Sequence, residues 1–261
     1  MPQTVAELGP GDSLGVGLAA LLSGVRKYYA LDAVRFSNPA RNLAIFEQLV
    51  ELFRARAPRP FRGWPDYDAC LGQDLFPHHI LTEELLQSSL RDERLGLIRH
   101  ALTGQASDDE VTIRYMSPWH DGVVIERESV DLIWSHAVLE HVADLDRAYA
   151  ALRLWLKPGA VMSHQIDFAS HGLTAEWNGH LACSDLTWKV IVGKRPFLIN
   201  RQPCSAHLKL IESNGFKLIC LLKSHRCDGV ARNQLSSRWK ALSEDDLTCA
   251  SVFLQARKPA T

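Results

Sequence analysis

The sequence has little of what would commit it to an unusual environment. Its 261 residues contain no apolar run approaching the ~20 needed to span a membrane. The opening MPQTVAELGP has neither a basic leader nor an apolar core, so no secretory signal is expected. A net charge of −1 offers no general attraction for nucleic acid or an anionic membrane, and neither is expected as a partner. None of the six cysteines forms a C-x-x-C pair, which argues against a zinc ribbon or a thioredoxin-like motif. Scattered thiols in a chain of this size imply a reducing, cytoplasmic setting. There is no internal repeat and no low-complexity tract. What remains is ordinary globular composition, 46% hydrophobic and 23% charged. The length suits one large α/β domain with an insertion, or two small ones.

The chain alternates between strand and helix signals. Thr4 to Leu8 is short and apolar, and the turn Gly9-Pro10-Gly11 follows it. Helical spacing runs from Leu14 to Leu22, with Ser13 as the expected N-cap and Gly24 as the stop. Tyr28 to Asp32 then predicts a second, parallel strand, completing a βαβ unit. Residues 38–110 interrupt the alternation with two amphipathic helices, Leu43 to Arg56 and Leu81 to Leu102, around an irregular piece from Pro58 to Pro77. This stretch is expected to be an insertion covering the mouth of a site. Strands are predicted again at Val111–Tyr115, Val130–Ser135 and Ala160–Ile166, with a helix from Asp144 to Trp155. Residues 170–202 give no regular pattern, and a helix from Ser205 to Asn214 ends at Gly215. Phe216–Lys223 and Cys249–Ala256 suit an antiparallel edge hairpin.

A glycine turn between strand and helix lets backbone N–H groups approach a ligand. Two patterns overlap in this one. Gly15-Val16-Gly17-Leu18-Ala19-Ala20 fits the dinucleotide form G-x-G-x-x-A, but it lies within the predicted helix, where glycines serve close packing. Glu7-Leu8-Gly9-Pro10-Gly11 fits E-x-G-x-G at the strand end, where a ligand would sit. Asp32, ending the second strand, is placed to accept hydrogen bonds from both hydroxyls of a ribose. That geometry serves NAD and S-adenosylmethionine equally.

The segment Val130-Asp131-Leu132-Ile133-Trp134-Ser135-His136-Ala137-Val138-Leu139-Glu140-His141-Val142, followed by a helix and Leu156-Lys157-Pro158-Gly159, resembles class I methyltransferases. In that family D-L-I-x-S-x-x-V-L-E-H-V is the fourth strand with its following loop, and L-K-P-G-G leads into the fifth. Ala160 replaces the second glycine here. The resemblance extends from Glu7 to Lys258. It implies a Rossmann-like α/β fold, a mostly parallel seven-stranded sheet with an antiparallel C-terminal edge hairpin and a helical insertion, in a single domain spanning 1–261.

The same resemblance implies S-adenosylmethionine as cofactor. Glu7, Gly9 and Gly11 would line its methionine half, Asp12 and Ser13 would add contacts, and Asp32 would hold the ribose. Met116 and Ser117 would border the adenine; many relatives carry Asp where Ser117 stands. Ser135 and His136 would sit beside the sulfonium. Relatives usually have a helix or two before the first strand; here either 38–110 and a partner subunit would close the site, or the chain is a shortened version of the relatives' domain.

An alcohol acceptor needs a base, and histidine is the usual one. Period-two alternation puts His164, Ile166 and Phe168 on one face of the fifth strand and Gln165 and Asp167 on the other. His164 suits a sheet-face histidine. Asp167 orienting His171 at the strand exit makes a sensible base, with His136 as a further catalytic candidate. His78-His79 near Asp74 lack spaced partners, and no metal site is expected. Trp64, Trp119, Trp177 and Trp188 suit either core packing or an aromatic wall for an acceptor, and Arg201 suits a solvated arginine ahead of one holding an anionic or sugar-like acceptor. The expectation is an S-adenosylmethionine-dependent methyltransferase acting on oxygen of a small sugar-like or secondary-metabolite acceptor, with homo-oligomerisation open. The alternatives are an NAD(P)-dependent oxidoreductase, which lacks any Y-x-x-x-K pair here, and a non-catalytic binding protein of the same fold.

Overall fold

A computed structural model describes residues 1–59, 75–104, 110–119 and 124–260. In chain order its elements begin with β1 (Thr4–Leu8), α1 (Gly15–Leu22), β2 (Lys27–Leu31) and α2 (Pro39–Arg54). Then come α3 (Glu83–Ser89), α4 (Asp92–Leu102), β3 (Thr112–Met116), β4 (Val130–His136) and α5 (Leu145–Trp155). The last are β5 (Leu156–Asp167), α6 (Asp185–Val192), α7 (Cys204–Ser213), β6 (Lys217–His225), α8 (Glu244–Thr248) and β7 (Cys249–Arg257). The strands form one seven-stranded sheet in the order β3-β2-β1-β4-β5-β7-β6. β2 is parallel to β1 and to β3, whereas β7 runs antiparallel to both β5 and β6. This is the expected Rossmann-like sheet with its antiparallel C-terminal hairpin. No helix among the described residues is long and apolar enough to cross a membrane.

The chain divides into two compact units: Met1–Trp134 with Trp155–Lys157, and Ser135–Leu154 with Pro158–Thr261. In the first unit every residue of β1 is buried, as a strand covered on both faces requires. Leu18, Leu21 and Leu22 of α1, Phe46 and Val50 of α2, and Leu95 and Ile98 of α4 form one core with Val5 and Tyr28. A fully buried side chain of this kind contributes about 1.5–3 kcal/mol through removal from water. Asp131 pins the edge of this unit: its Oδ2 accepts the amides of Gln3 and Thr4 at 2.8 and 2.9 Å, and Lys157 donates to its Oδ1 at 2.6 Å. The first residue of the D-L-I motif is therefore a strut of the sheet. In the second unit β5 keeps the predicted alternation, with Met162, His164 and Ile166 buried and Gln165 and Asp167 half-buried. A smaller core joins Leu181, Val230, Leu235, Trp239 and Leu247.

Several expectations need correction. The helix predicted across Leu81–Leu102 breaks at Leu90 and Arg91, because Thr82 caps the first piece and Asp92 and Glu93 favour a new N-terminus for the second. Ser13 is not the N-cap of α1; that position is Leu14, whose amide donates to Asn42 Oδ1 at 3.1 Å. The helix predicted from Leu43 begins earlier, at Pro39, behind the Asn38 cap. The stretch 170–202 is not wholly irregular, since α6 lies within it under a Ser184 cap. Trp64, Cys70 and Asp74, with most of the piece Pro58 to Pro77, lie outside the described residues.

Candidate functional site

In the first unit the carboxyl ends of β1, β2 and β3 lie side by side, with Leu8 opposite Leu31 and Leu31 opposite Met116. The chain leaves β1 through Gly9 and Gly11, at φ 65° and 67°, a backbone conformation that side chains resist. A Cβ built on Gly11 would meet nothing within 4 Å, so this part of the turn faces open space. Glu7 is 7% exposed and accepts the Tyr28 hydroxyl at 2.5 Å. Burial raises its carboxyl above the ordinary range, partly offset by that hydrogen bond. Asp32 is buried, and its two oxygens take the amides of Gly11 at 3.1 Å and Ala33 at 2.8 Å. Its own amide donates to the Met116 carbonyl at 3.0 Å.

Glu7, Gly9, Gly11, Asp32 and Met116 are thus brought together, and Ser117 follows directly on β3. Asp12 is exposed and Ser13 half-buried. Asp12 pairs with Arg41, and Ser13 Oγ accepts the Gly15 amide at 3.1 Å. The second glycine pattern is a packing feature: a Cβ on Gly17 would stand 2.0 Å from the Tyr28 ring. These residues fit an adenosine cofactor. Asp32 is held by backbone and keeps lone pairs for ribose hydroxyls, and the open glycine turn leaves room for close approach.

In the second unit Ser135 is buried, with Oγ 2.7 Å from Nδ1 of His164. His164 is fully buried, and desolvation pushes its pKa down to about 3. It is the sheet-face histidine that the alternation suggests. His136 ends β4 exposed. Asp167 and His171 do meet, but at 3.6 Å between Oδ2 and Nε2, too long for a hydrogen bond. The other Asp167 oxygen accepts the Ala169 amide at 2.7 Å.

Sequence reasoning missed how Glu140 and His141 join this pair. His141 and His171 lie edge to face with ring centroids 5.1 Å apart. Burial lowers the His141 pKa, and the neighbouring His171 lowers it further. Glu140 is 3% exposed, and desolvation raises its pKa to about 8. Its Oε1 accepts the Asp167 amide at 3.3 Å, whereas Oε2 has no protein partner. The E-H dipeptide was the only available signal, because the fold alone brings His171 to it.

A narrow cavity of about 20 Å³ lies within the same unit, and Glu140, Asp167, Trp177, His180 and Arg201 help to line it. Among these, Glu140 Oε2, Trp177 Nε1 and His180 Nδ1 are buried without a protein partner. Arg201 is no solvated arginine. It is 6% exposed, donates to Asp185 at 2.7 Å and to the Cys183 carbonyl at 3.0 Å, and stacks on Trp188 and Trp239. Its cation is already committed, which argues against a free anion-binding role. Trp119 packs against Trp155 in the first unit, and Trp188 is likewise buried. His78 and His79 are exposed in a turn, as a surface loop requires.

Residues 100–163, from the end of α4 into β5, match the model of a family described as a methyltransferase domain. No curated protein matches the sequence. Distant structural likeness extends to an S-adenosylmethionine-dependent methyltransferase from Mesorhizobium loti, 14% identical over 98% of this chain and 93% of that one, with TM-score 0.47. A second, from Methanosarcina mazei, is 11% identical over 100% and 95%, also at 0.47. A geranyl diphosphate C-methyltransferase from Streptomyces coelicolor is 13% identical over 98% and 72%, again at 0.47. These likenesses are too remote to bear on the site.

Proposed function

We propose a hydroxyl of a small polar molecule as the methyl acceptor of this class I, S-adenosylmethionine-dependent methyltransferase. The observation that carries the proposal is the second unit's cavity. Three buried polar atoms there, on Glu140, Trp177 and His180, have no protein partner. Such a mixture of donors and acceptors suits hydroxyl groups, which both give and take hydrogen bonds. At about 20 Å³ the cavity takes one or two small polar groups of an acceptor and not a whole ring. A sugar-like or secondary-metabolite acceptor inserting one polar edge fits that size.

The cofactor supplies an electrophilic methyl on its sulfonium. On this proposal Glu7 and the amides near Gly9 and Gly11 hold its amino-acid end, with Asp12 and Ser13 flanking. Asp32 takes the ribose hydroxyls, and Met116 and Ser117 border the adenine. Ser135 and His136 belong to the sulfur side. His171 takes the proton of the acceptor hydroxyl, with Asp167 beside it; His136 is the second candidate base. Positioning does most of the work in such an in-line displacement.

The experiment is a product assay on the purified chain with S-adenosylmethionine and a panel of hydroxylated, amine and carbon acceptors. S-adenosylhomocysteine should form with hydroxylated acceptors, and His171→Ala should lower its rate by about 100-fold. Turnover confined to amine or carbon acceptors contradicts the proposal. Saturable NADH binding without S-adenosylmethionine binding would favour the oxidoreductase instead.

A further inference from the structure

Glu140 and His141 sit on the short turn Leu139–His141 that follows β4, and His171 lies beyond β5 at φ 52°. One ligand atom from each of the three lies within 4.8 Å of the other two. The turn is held from outside. Asn200 Nδ2 donates to the carbonyls of Leu139 and Val142, both at 2.8 Å, and the Asn200 amide donates to the Glu140 carbonyl at 2.6 Å. The backbone of Phe197 hydrogen-bonds the His141 ring, while its Nδ1 is buried and has no partner. Imidazoles that bind metals are commonly fixed in this way through their other nitrogen. Glu140 Oε2 is also buried without a partner. A cation within reach of both would satisfy them, and each atom is otherwise costly to bury.

We propose that Glu140, His141 and His171 bind a divalent first-row transition cation, with Asp167 beside His171 as an outer carboxylate. Bond lengths of ~2.1 Å place two donors on one ion ~3 to ~4.2 Å apart, so a small closure of the side chains completes the set. Two imidazoles and one carboxylate suit zinc, manganese, iron or cobalt better than calcium or magnesium, which prefer all-oxygen shells. Three protein ligands leave at least one position open, the arrangement of reactive rather than structural sites. An acceptor hydroxyl in that position would lose its proton more readily, and solvent water would carry that proton away. His171, its lone pair given to the cation, would then act as ligand and not as base. That consequence rests on the hydroxyl acceptor proposed above; cation binding does not.

The test is titration of the chelator-treated full chain with Co²⁺, followed by visible absorption, and with Zn²⁺, followed by calorimetry. Saturable one-to-one binding is expected. Glu140→Gln and His171→Ala should each weaken it by at least ~10-fold, and His78→Ala, on an exposed turn, should leave it unchanged. The proposal fails if the wild type binds neither ion stoichiometrically, or if both cluster variants bind as tightly as the wild type. Thermal melts check that each variant folds, and the isosteric Glu140→Gln carries the test where His171→Ala does not fold. S-adenosylmethionine is titrated into the same samples. Its binding without cation binding overturns only the cation site, and the reverse overturns only the cofactor assignment.

Discussion

The two units treat buried polar atoms differently. In the first, Glu7 meets Tyr28, Asp32 takes two backbone amides, and Asp131 takes two amides and Lys157. Among the described residues it leaves two buried side-chain atoms without a protein partner, on Arg94 and Trp134. The second unit leaves nine, on residues that include Glu140, His141, His164, Trp177, His180 and His207. The first unit therefore settles these buried polar atoms in advance, and on the proposed function their remaining lone pairs would meet the cofactor without rearrangement. The second holds buried polar groups that its own side chains and backbone leave unsatisfied, which is where the proposal places acceptor and ion.

Acid should separate the units most strongly. Burial lowers the pKa of His164 to about 3, and those of His180 and His207 to about 4. Each stays neutral when folded but takes a proton when unfolded, so its stabilising contribution is present above pH ~6.5 and is lost as pH falls towards the folded value. Glu140, raised to about 8, acts oppositely: its folded state holds the proton, so stability rises as pH falls from there. His141, whose pKa burial also lowers, adds to these three, and four histidines against one glutamate leave a net loss of stability on acidification. Hydrogen exchange at pH 7 and pH 5 should show β5 and β7 losing protection while β1 and β2 keep theirs. Uniform loss across both units would break the distinction.

Next in size is Gly17→Ala. The new Cβ would overlap the Tyr28 ring, which also holds Glu7, so the first unit should lose about 3 kcal/mol in urea denaturation. A loss well below 1 kcal/mol would mean that α1 shifts easily and that the cradle is softer than its hydrogen bonds imply.

The smallest effect is Ser13→Ala. Its Oγ holds only the Gly15 amide, and Asn42 already takes that of Leu14, so about 0.5 kcal/mol is expected. A change above 2 kcal/mol in the same measurement would make Ser13 a true helix cap.

Much of the first unit was legible in the sequence because its signals are local. Thr4–Leu8 is short, apolar and closed by Gly9-Pro10-Gly11, and the strand occupies those residues. The E-x-G-x-G turn and Asp32 end up adjacent because parallel strands put their carboxyl ends together. The second unit hid more. The helix α6 leaves Leu186 and Val190 75% and 74% exposed, so its apolar residues do not mark an inward face. The buried state of Arg201 depends on Asp185, Trp188 and Trp239, partners that no spacing rule connects to it. Glu140, His141 and His171 converge only through the path of β5, so His171 read singly was a base and not a ligand.

The most direct test is calorimetric titration of the wild type and Asp32→Ala with S-adenosylmethionine. Saturable one-to-one binding is expected, weakened about 100-fold in the variant by loss of two charged hydrogen bonds at roughly 1.5 kcal/mol each. No saturable binding by the wild type, or equal affinity in the two proteins, would contradict the assignment of the cofactor to this cradle.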